Sequence, residues 1–550
     1  MKKTIVVVAT IILALMMLVS IVACGSGGDT GGGGGSAPTT STGQPSGTGG
    51  SSTPSSPAGS EPAEPRGPDG QEYGGMIRMI PSGTLNVPFG VVWHYLTSFR
   101  PSVCFAEALL LETPRGEMTP FLCTSWEPDV ENKEVRFKLR EDVTFADGSK
   151  FNAEVVAWHM EKWIEATLLD KTITGAEVRG EYEVAVKMAT FGNWVPTILS
   201  ARVCGFVSME QYEMYGAEYA EQHPVGTGGF LLEEWVPGVS ATWVRRDDYW
   251  QPGKPYADRI QFITMTDPMT QNAAMMTTGP EAVDFFQTGS AEQVATLLEK
   301  ADVYISSMPV GPQSLFPSSN NPNSPLAIRE VRQAIFYAID RQSICDARGF
   351  GVWTPATQVF PDTFLGHVPE NGEASYDPAR SKELLAKAGF PNGVDITLYA
   401  PMSADRDTMV ALQAMLGEVG ININLEFPES GLAIELRTKG WEGLFVGGVR
   451  PLANMAHTLS YYFDPDYFYY PSMWRPESMT PLYYECRSTP YVEAPLMEQF
   501  GRGVMDEMLL IPIYDNYTNF VIRNDVLGGG FAAFGAGVEW QPEEIWRKTK

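Results

Sequence analysis

The sequence predicts an α/β fold with mixed sheets, divided among two or three lobes. One reason is strand–helix–strand order. VDITLYA from Val394, RDTMVALQAMLGEVG from Arg406 and ININLEF from Ile421 read as strand, helix and strand, the unit of a mainly parallel sheet. A second is the alternation in EVRFKLREDVTF. There Val135, Phe137 and Leu139 fall on one face and charged residues on the other, as in a strand with one buried side. The third is size, since about 480 residues follow an N-terminal leader and linker, too many for one ordinary core. Apolar residues make up 44% of the chain and aromatics 11%, so there is ample material to bury.

The leader begins with Lys2 and Lys3, runs almost wholly apolar from Thr4 to Ala23, and ends on small Ala23 before Cys24. Basic end, oily middle and small-residue cut site are the parts of a secretion signal. Ile21-Val22-Ala23-Cys24 resembles the lipobox of bacterial lipoproteins. That resemblance implies removal of residues 1–23 and a diacylglycerol on the Cys24 thiol. An uncut membrane-spanning helix is the other reading, because about 20 apolar residues can cross a bilayer. Either one places the rest of the chain outside the cytoplasm. Residues 24–70 are mostly Gly, Ser, Thr and Pro and cannot offset their ordering entropy by burial. They are expected to form a disordered tether with an r.m.s. reach of about 35–40 Å.

The folded part is then punctuated in order. Asp147-Gly148 marks a turn after the alternating strand. NAEVVAWHMEKWIEATLL follows, with Val156, Met160, Trp163, Ile164 and Leu168 on one helical face and Asn152 placed to cap it. His159 beside that stripe reads as a helix residue, packed or exposed, rather than a ligand. HPVGTGGFLLEEWVPG, from His223, has the glycines of a phosphate loop without its Lys-Ser/Thr ending, and reads as a close turn entering a strand. SATWVRRDDYW continues strand-like until QPGKP stops it. SPLAIREVRQAIFYAIDRQSI places Ile328, Val331, Ile335, Ala338 and Ile339 at helical spacing after Pro325. In YDPARSKELLAKAGF, Asp377 can cap a helix, Pro378 suits its first turn, Leu384 and Leu385 pack, and Gly389 ends it.

Composition excludes several classes of function. A net charge of −27 argues against nucleic acid, whose phosphates need a cationic partner. After Cys24 come Cys104, Cys123, Cys204, Cys345 and Cys486, none in a CxxC pair. Histidines stand apart at His94, His159, His223, His367 and His457. No metal and no cofactor is therefore expected. No nucleophile elbow, His-Glu-x-x-His or lysine P-loop occurs, so no catalytic residue is assigned. An exported hydrolase remains the competing class.

Six stretches together resemble one family. VRFKLREDVTFADGSKFNAEVV, HPVGTGGFLLEEWVPG, RRDDYWQPGKPYADRIQF, IREVRQAIFYAIDRQSI, YDPARSKELLAKAGF and LLIPIY are similar, in this order, to the extracellular solute-binding proteins of family 5. These are the receptors of peptide, nickel and related ABC importers. The resemblance implies a two-lobed periplasmic-binding-protein-like fold of type II, cluster C-like, with an inserted extra domain. Domain I would take residues 71–105, 224–315 and 511–550, domain II residues 106–223, and domain III residues 316–510. It further implies a monomer that closes on a small-molecule solute and delivers it to an ABC permease and ATPase complex.

The ligand is read from departures. Peptide-binding relatives commonly carry an aspartate after a Gly-Trp-like strand. The comparable stretch, WEGLFVGGVRPLANMAHTL, offers Arg450 near that place. An arginine repels an ammonium and welcomes a carboxylate or sulfonate bidentately. Rings are dense in YYFDPDYFYYPSMW, and each could line a cleft or simply pack. Arg450, Trp441, Trp353, Tyr461 and Tyr462 are the candidate ligand-binding residues. A small organic solute with an anionic group is expected, with a short peptide as the conventional alternative and a nickel chelate as a lesser one.

Overall fold

The computed structural model describes residues 67, 69–81, 85–86, 99–112, 118–200, 205–279, 281–362, 364–369, 376–402, 404–449, 455–465, 467, 469–530 and 540–548. Helix starts follow the sequence closely. The Asn152 side chain accepts from the Val155 N–H at 3.1 Å and opens the helix Ala153–Glu165, which buries Val156, Met160 and Trp163. Asp377 accepts from the Arg380 N–H at 2.9 Å at the head of the helix Pro378–Lys387. That helix stops before Gly389, whose φ of +94° favours glycine.

One predicted helix is interrupted. The segment after Ser324 forms a 3-10 turn, Pro325–Ala327, and only then the helix Arg329–Ala338. The guanidinium of buried Arg332 takes the carbonyls of Leu326 and Ala327 at 2.8 and 2.9 Å, so those acceptors serve a side chain and not a helix. Ile328, at the break, is 36% exposed and lies off the buried stripe.

Among the described residues the main sheet has eleven strands. In chain order they are β1 (Met76–Ile80), β2 (Phe230–Val236), β3 (Ser240–Arg245), β4 (Arg259–Ile263), β5 (Phe285–Thr288) and β6 (Val303–Pro317), followed by β7 (Thr354–Pro355), β8 (Val394–Tyr399), β9 (Ile421–Glu426), β10 (Leu444–Gly448) and β11 (Ile511–Arg523). Across the sheet the order is β9-β8-β10-β6-β11-β5-β1-β4-β3-β2, with β7 added on β11. Its directions are mixed: β8 is parallel to β9 and β10, β1 is parallel to β4 and β5, and the other pairs are antiparallel. The strand–helix–strand unit read from VDITLYA to ININLEF is present, in register from Val394 opposite Ile421. A separate four-stranded antiparallel sheet holds Glu134–Leu139, where Val135, Phe137 and Leu139 are buried as their alternation requires.

Two large cores result. The first gathers apolar residues from Ile77 to Phe262, with Phe285, Phe520, Ile522 and Trp540, and includes the four-stranded sheet. The second runs from Leu315 to Tyr514. The chain passes from first to second along β6 and returns along β11.

Candidate functional site

The two crossing strands form the junction. β6 and β11 pair antiparallel from Val303 opposite Arg523 to Leu315 opposite Ile511. At one end β11 also pairs with β5, Phe285 opposite Ile522, within the first lobe. At the other, β6 pairs with β10, Phe316 opposite Phe445, within the second. Register slips between Pro309 and Gly311 and again between Gln313 and Ser314. Prolines supply no N–H and bulges break the ladder, so the ribbon is least tied midway between the lobes.

The second-lobe end is pinned by two buried arginines. Arg341 Nε donates to Pro512 O at 3.0 Å, and Arg332 Nε and Nη2 donate to Met508 O and Glu507 O at 3.0 and 2.6 Å. Burial lowers Arg332 to about 10 and Arg341 to about 9.

Around the slip, β7 lies along β11 with Thr354 opposite Asp515. The Trp353 ring stacks on Tyr514 with centroids 4.1 Å apart and planes 9° off parallel. Thr354 Oγ1 lies 2.9 Å from Tyr517 Oη, and either hydroxyl can donate. Two buried polar atoms at this junction have no hydrogen-bond partner among the described residues: Trp353 Nε1 and Asp515 Oδ1. Burial first, and then the Asp362 carboxylate, push Asp515 up to about 7. Asp405, near Tyr514, differs. Burial opposes its ionisation, but hydrogen bonds from Arg348 and Thr408 outweigh that and hold it below the ordinary carboxylate range.

The other candidates are placed as follows. Trp441 is buried in the second core and its indole N–H donates to Phe316 O at 3.2 Å. Tyr462 is also buried, its hydroxyl donating to Gly448 O at 3.1 Å and its ring 5.6 Å from that of Tyr470. These two come together around Phe316 and Tyr470, whose rings stack at 4.7 Å. Tyr461 is half-buried, edge-on to Tyr467 at 5.3 Å. Trp353 stands apart from them, at the junction. Arg450 and Cys24 lie outside the described residues. Asp515 was not singled out from the sequence. The available signal was an acid in IPIYDNYTNFVIR, a strand otherwise without one.

Cys123, Cys345 and Cys486 are buried free thiols, Cys104 is buried as well, and Cys204 lies outside the described residues. Burial raises the thiols of Cys123, Cys345 and Cys486 to about 12, which keeps them protonated and inert.

Comparison with known proteins bears on this geometry. The glutathione-binding protein GsiB of Escherichia coli is 31% identical over 312 residues, 55% of this chain and 60% of the relative. The chain thus matches about 60% of the length of that relative. The structure of HbpA2 from Haemophilus parasuis superposes with a TM-score of 0.76 at 19% identity, over 86% of this chain and 100% of that one. A dipeptide-binding protein from a Pseudoalteromonas species, in complex with Met-Leu, superposes with a TM-score of 0.67 at 18% identity, over 86% and 100% of the two chains. The fold is the two-lobed type II periplasmic-binding-protein fold that the sequence predicts. A sequence model described as bacterial extracellular solute-binding proteins, family 5 Middle, matches residues 117–474. The chain belongs to the bacterial extracellular solute-binding proteins of family 5, a family of binding proteins and not of enzymes.

Proposed function

We propose that this chain is the extracytoplasmic substrate-binding component of an ABC importer. A diacylglycerol on Cys24 holds it to the membrane face, residues 24–70 serve as tether, and the monomer captures a small organic solute between its lobes. Residues 71–105, 224–315 and 511–550 make domain I, residues 106–223 domain II and residues 316–510 domain III. What supports this reading above all is the double passage between two cores along β6 and β11 in a chain of a solute-binding family. Two bodies joined by such a ribbon can hinge shut. Closure buries the solute and gives a permease and its ATPase a shape to recognise. The tether keeps the receptor near that permease and raises its effective concentration.

The solute carries an anionic group that Arg450 receives bidentately, with Trp353 as a wall and Tyr461 beside the site. Trp441 and Tyr462 act one layer back, fixing Phe316 and Gly448 on the strands next to the junction. A short peptide is the second reading, favoured by relatives named for glutathione binding. Glutathione is itself a carboxylate-bearing peptide, so one probe serves both.

The test is tryptophan fluorescence and thermal shift of the full chain against glutathione, dipeptides, aromatic acids and sugars, with products assayed in parallel. Saturable binding without turnover is expected, and a solute at 100 times its Kd should add about 2.7 kcal/mol of stability. Arg450→Ala should weaken an anionic solute by more than about 1 kcal/mol. A chain that binds nothing in the panel, or converts its solute, overturns the reading. Cys24→Ser should abolish labelling by radioactive palmitate, and persistent labelling would remove the anchor.

A further inference from the structure

Two carboxyls are buried in the first lobe from distant parts of the chain. Glu107 follows the helix Phe99–Val103 and is 5% exposed, and Glu543, in the 3-10 turn Pro542–Glu544, is 4% exposed. The charge of Glu107 acts on Glu543, and both act on the Tyr249 hydroxyl.

Their surroundings differ. Glu107 has a donor on each oxygen: Tyr249 Oη donates to Oε1 at 2.5 Å and Trp250 Nε1 to Oε2 at 2.9 Å. Gln251 Nε2 donates to Tyr249 Oη at 2.7 Å, which leaves the phenol proton to Glu107. Burial raises Glu107, while these donors and the charge of Arg246 oppose that. Glu543 is poorly served. Among the described residues the one donor acting on its carboxyl is its own backbone N–H. The cation that acts on it, Lys254, donates instead to Glu544 and, at 2.9 Å, to Gln251 Oε1. Two carboxyls so buried do not both ionise, and the proton falls to the one with fewer donors. Burial first, and then Glu107, push Glu543 up to about 8.

The turn that carries Glu543 is short and thinly fastened. Trp540 and Ile545 on either side of it join the first core. The Gln541 N–H donates to Gly529 O at 2.9 Å, and the Tyr256 N–H reaches Glu543 O at 3.4 Å. Residues 249–256, between β3 and β4, lie beneath. They also receive Tyr73 Oη on Gly253 O at 2.7 Å and the Gly74 N–H on Tyr256 O at 2.9 Å.

We propose that residues 540–545 are a pH-sensitive strap, seated on the first lobe while the Glu543 carboxyl holds a proton against the Glu107 carboxylate and loosened when alkali removes that proton. Ionised, Glu543 would face Glu107 and Glu544 with Lys254 already engaged, and an unpaired buried charge is costly. Turning outward hydrates it and draws Trp540 and Ile545 from the core. The ion pair of Arg547 with Asp284 and the rung of Leu527 with Trp546 lie beyond the strap and do not use this proton, so the release is local. An unfolded glutamate gives up its proton near 4.5, so between there and 8 the seated strap holds one proton more than the free one. Its stability is whole below pH 4.5 and falls as pH rises to 8.

The test is hydrogen exchange of residues 540–545 in the full chain and in Glu543→Gln from pH 5 to pH 9, corrected for intrinsic rates. Protection of the strap in the natural chain should fall by about tenfold per pH unit up to pH 8 and then level off, while the variant, neutral and of the same shape, stays constant. At pH 8 the natural strap should be at least tenfold less protected than β11. Should the variant fail to fold, exchange in the natural chain decides alone. Protection that is level from pH 5 to pH 8, or a natural chain that parallels the variant, overturns the strap. So does equal protection of strap and β11 at pH 8, which would make the loss global.

Discussion

Arg332 is a buried charge that hydrogen-bonds no carboxylate among the described residues, although those of Glu507 and Glu330 favour it from farther off. All four of its hydrogen bonds go to backbone carbonyls, of Leu326, Ala327, Glu507 and Met508, and its side chain has no exposure. Glu507 and Met508 follow the helix Ala494–Asp506, so the cation sits at that helix's negative end. Arg332→Met would fill the volume and orphan the carbonyls, costing about 3–5 kcal/mol in urea denaturation, and Arg332→Lys would lose the planar fork. His159 gives a second residue-scale expectation. Its Nε2 accepts from the Val207 N–H at 3.1 Å, so Nδ1–H donates to Val155 O at 2.8 Å and the ring is neutral. Burial lowers it from the ordinary 6.5 to about 4. The unfolded chain therefore binds the extra proton first. This contribution is whole above pH 6.5 and is lost as pH falls towards 4, on the order of 3 kcal/mol. His159→Gln should flatten the dependence of stability on pH across that window. Caps such as Asn152 and Asp377 were legible because their effect is local. Arg332 and Asp515 were not, because their settings are completed by residues more than a hundred positions away, Glu507 and Met508 for the one and Thr354 for the other.

Among elements, the turn into β2 shows how closely backbone can pack on backbone. A Cβ added at Gly226 would lie 2.0 Å from Phe105 O, and one at Gly228 would lie 2.7 Å from Cys104 O. The Gly-Thr-Gly-Gly run is thus a seat for residues 104–105, as the close-turn reading expects. Gly226→Ala should destabilise the first lobe by about 2–3 kcal/mol, with the loss visible as a lower urea midpoint. Helices and short strands could be read from periodicity. β6 could not, since Pro309, Gly311 and Pro312 interrupt VYISSMPVGPQSLFP, and its fifteen residues cohere only because β11 runs beside them. The ring-rich run divides as packing dictates: Tyr462, Phe463 and Tyr470 are buried, while Tyr461, Tyr467 and Tyr469 are half-buried.

At the scale of the whole molecule, the lobes touch away from the ribbon as well. Asn193, between the four-stranded sheet and the helix Val195–Ser200, donates its backbone N–H to Arg487 O at 2.9 Å. Its side-chain amide donates to Cys486 O at 2.9 Å and to Thr489 Oγ1 at 3.3 Å. These bonds tie the first lobe to the end of the helix Thr480–Ser488 in the second. Asn193→Ala removes the side-chain half of the clasp. It should enlarge the radius of gyration seen by small-angle X-ray scattering and weaken solute binding severalfold, and an unchanged radius would show that the clasp does not hold the lobes together.

The ribbon has one more consequence. Gly311 lies opposite Asn516 and Pro312 opposite Asp515, so the polypeptide departs for the second lobe and comes home within one rung. The buried apolar residues described from Leu315 to Tyr514 form a core of their own. Such a segment is a cassette with abutting ends, which can be lifted out or exchanged for that of a cousin without rerouting the remainder.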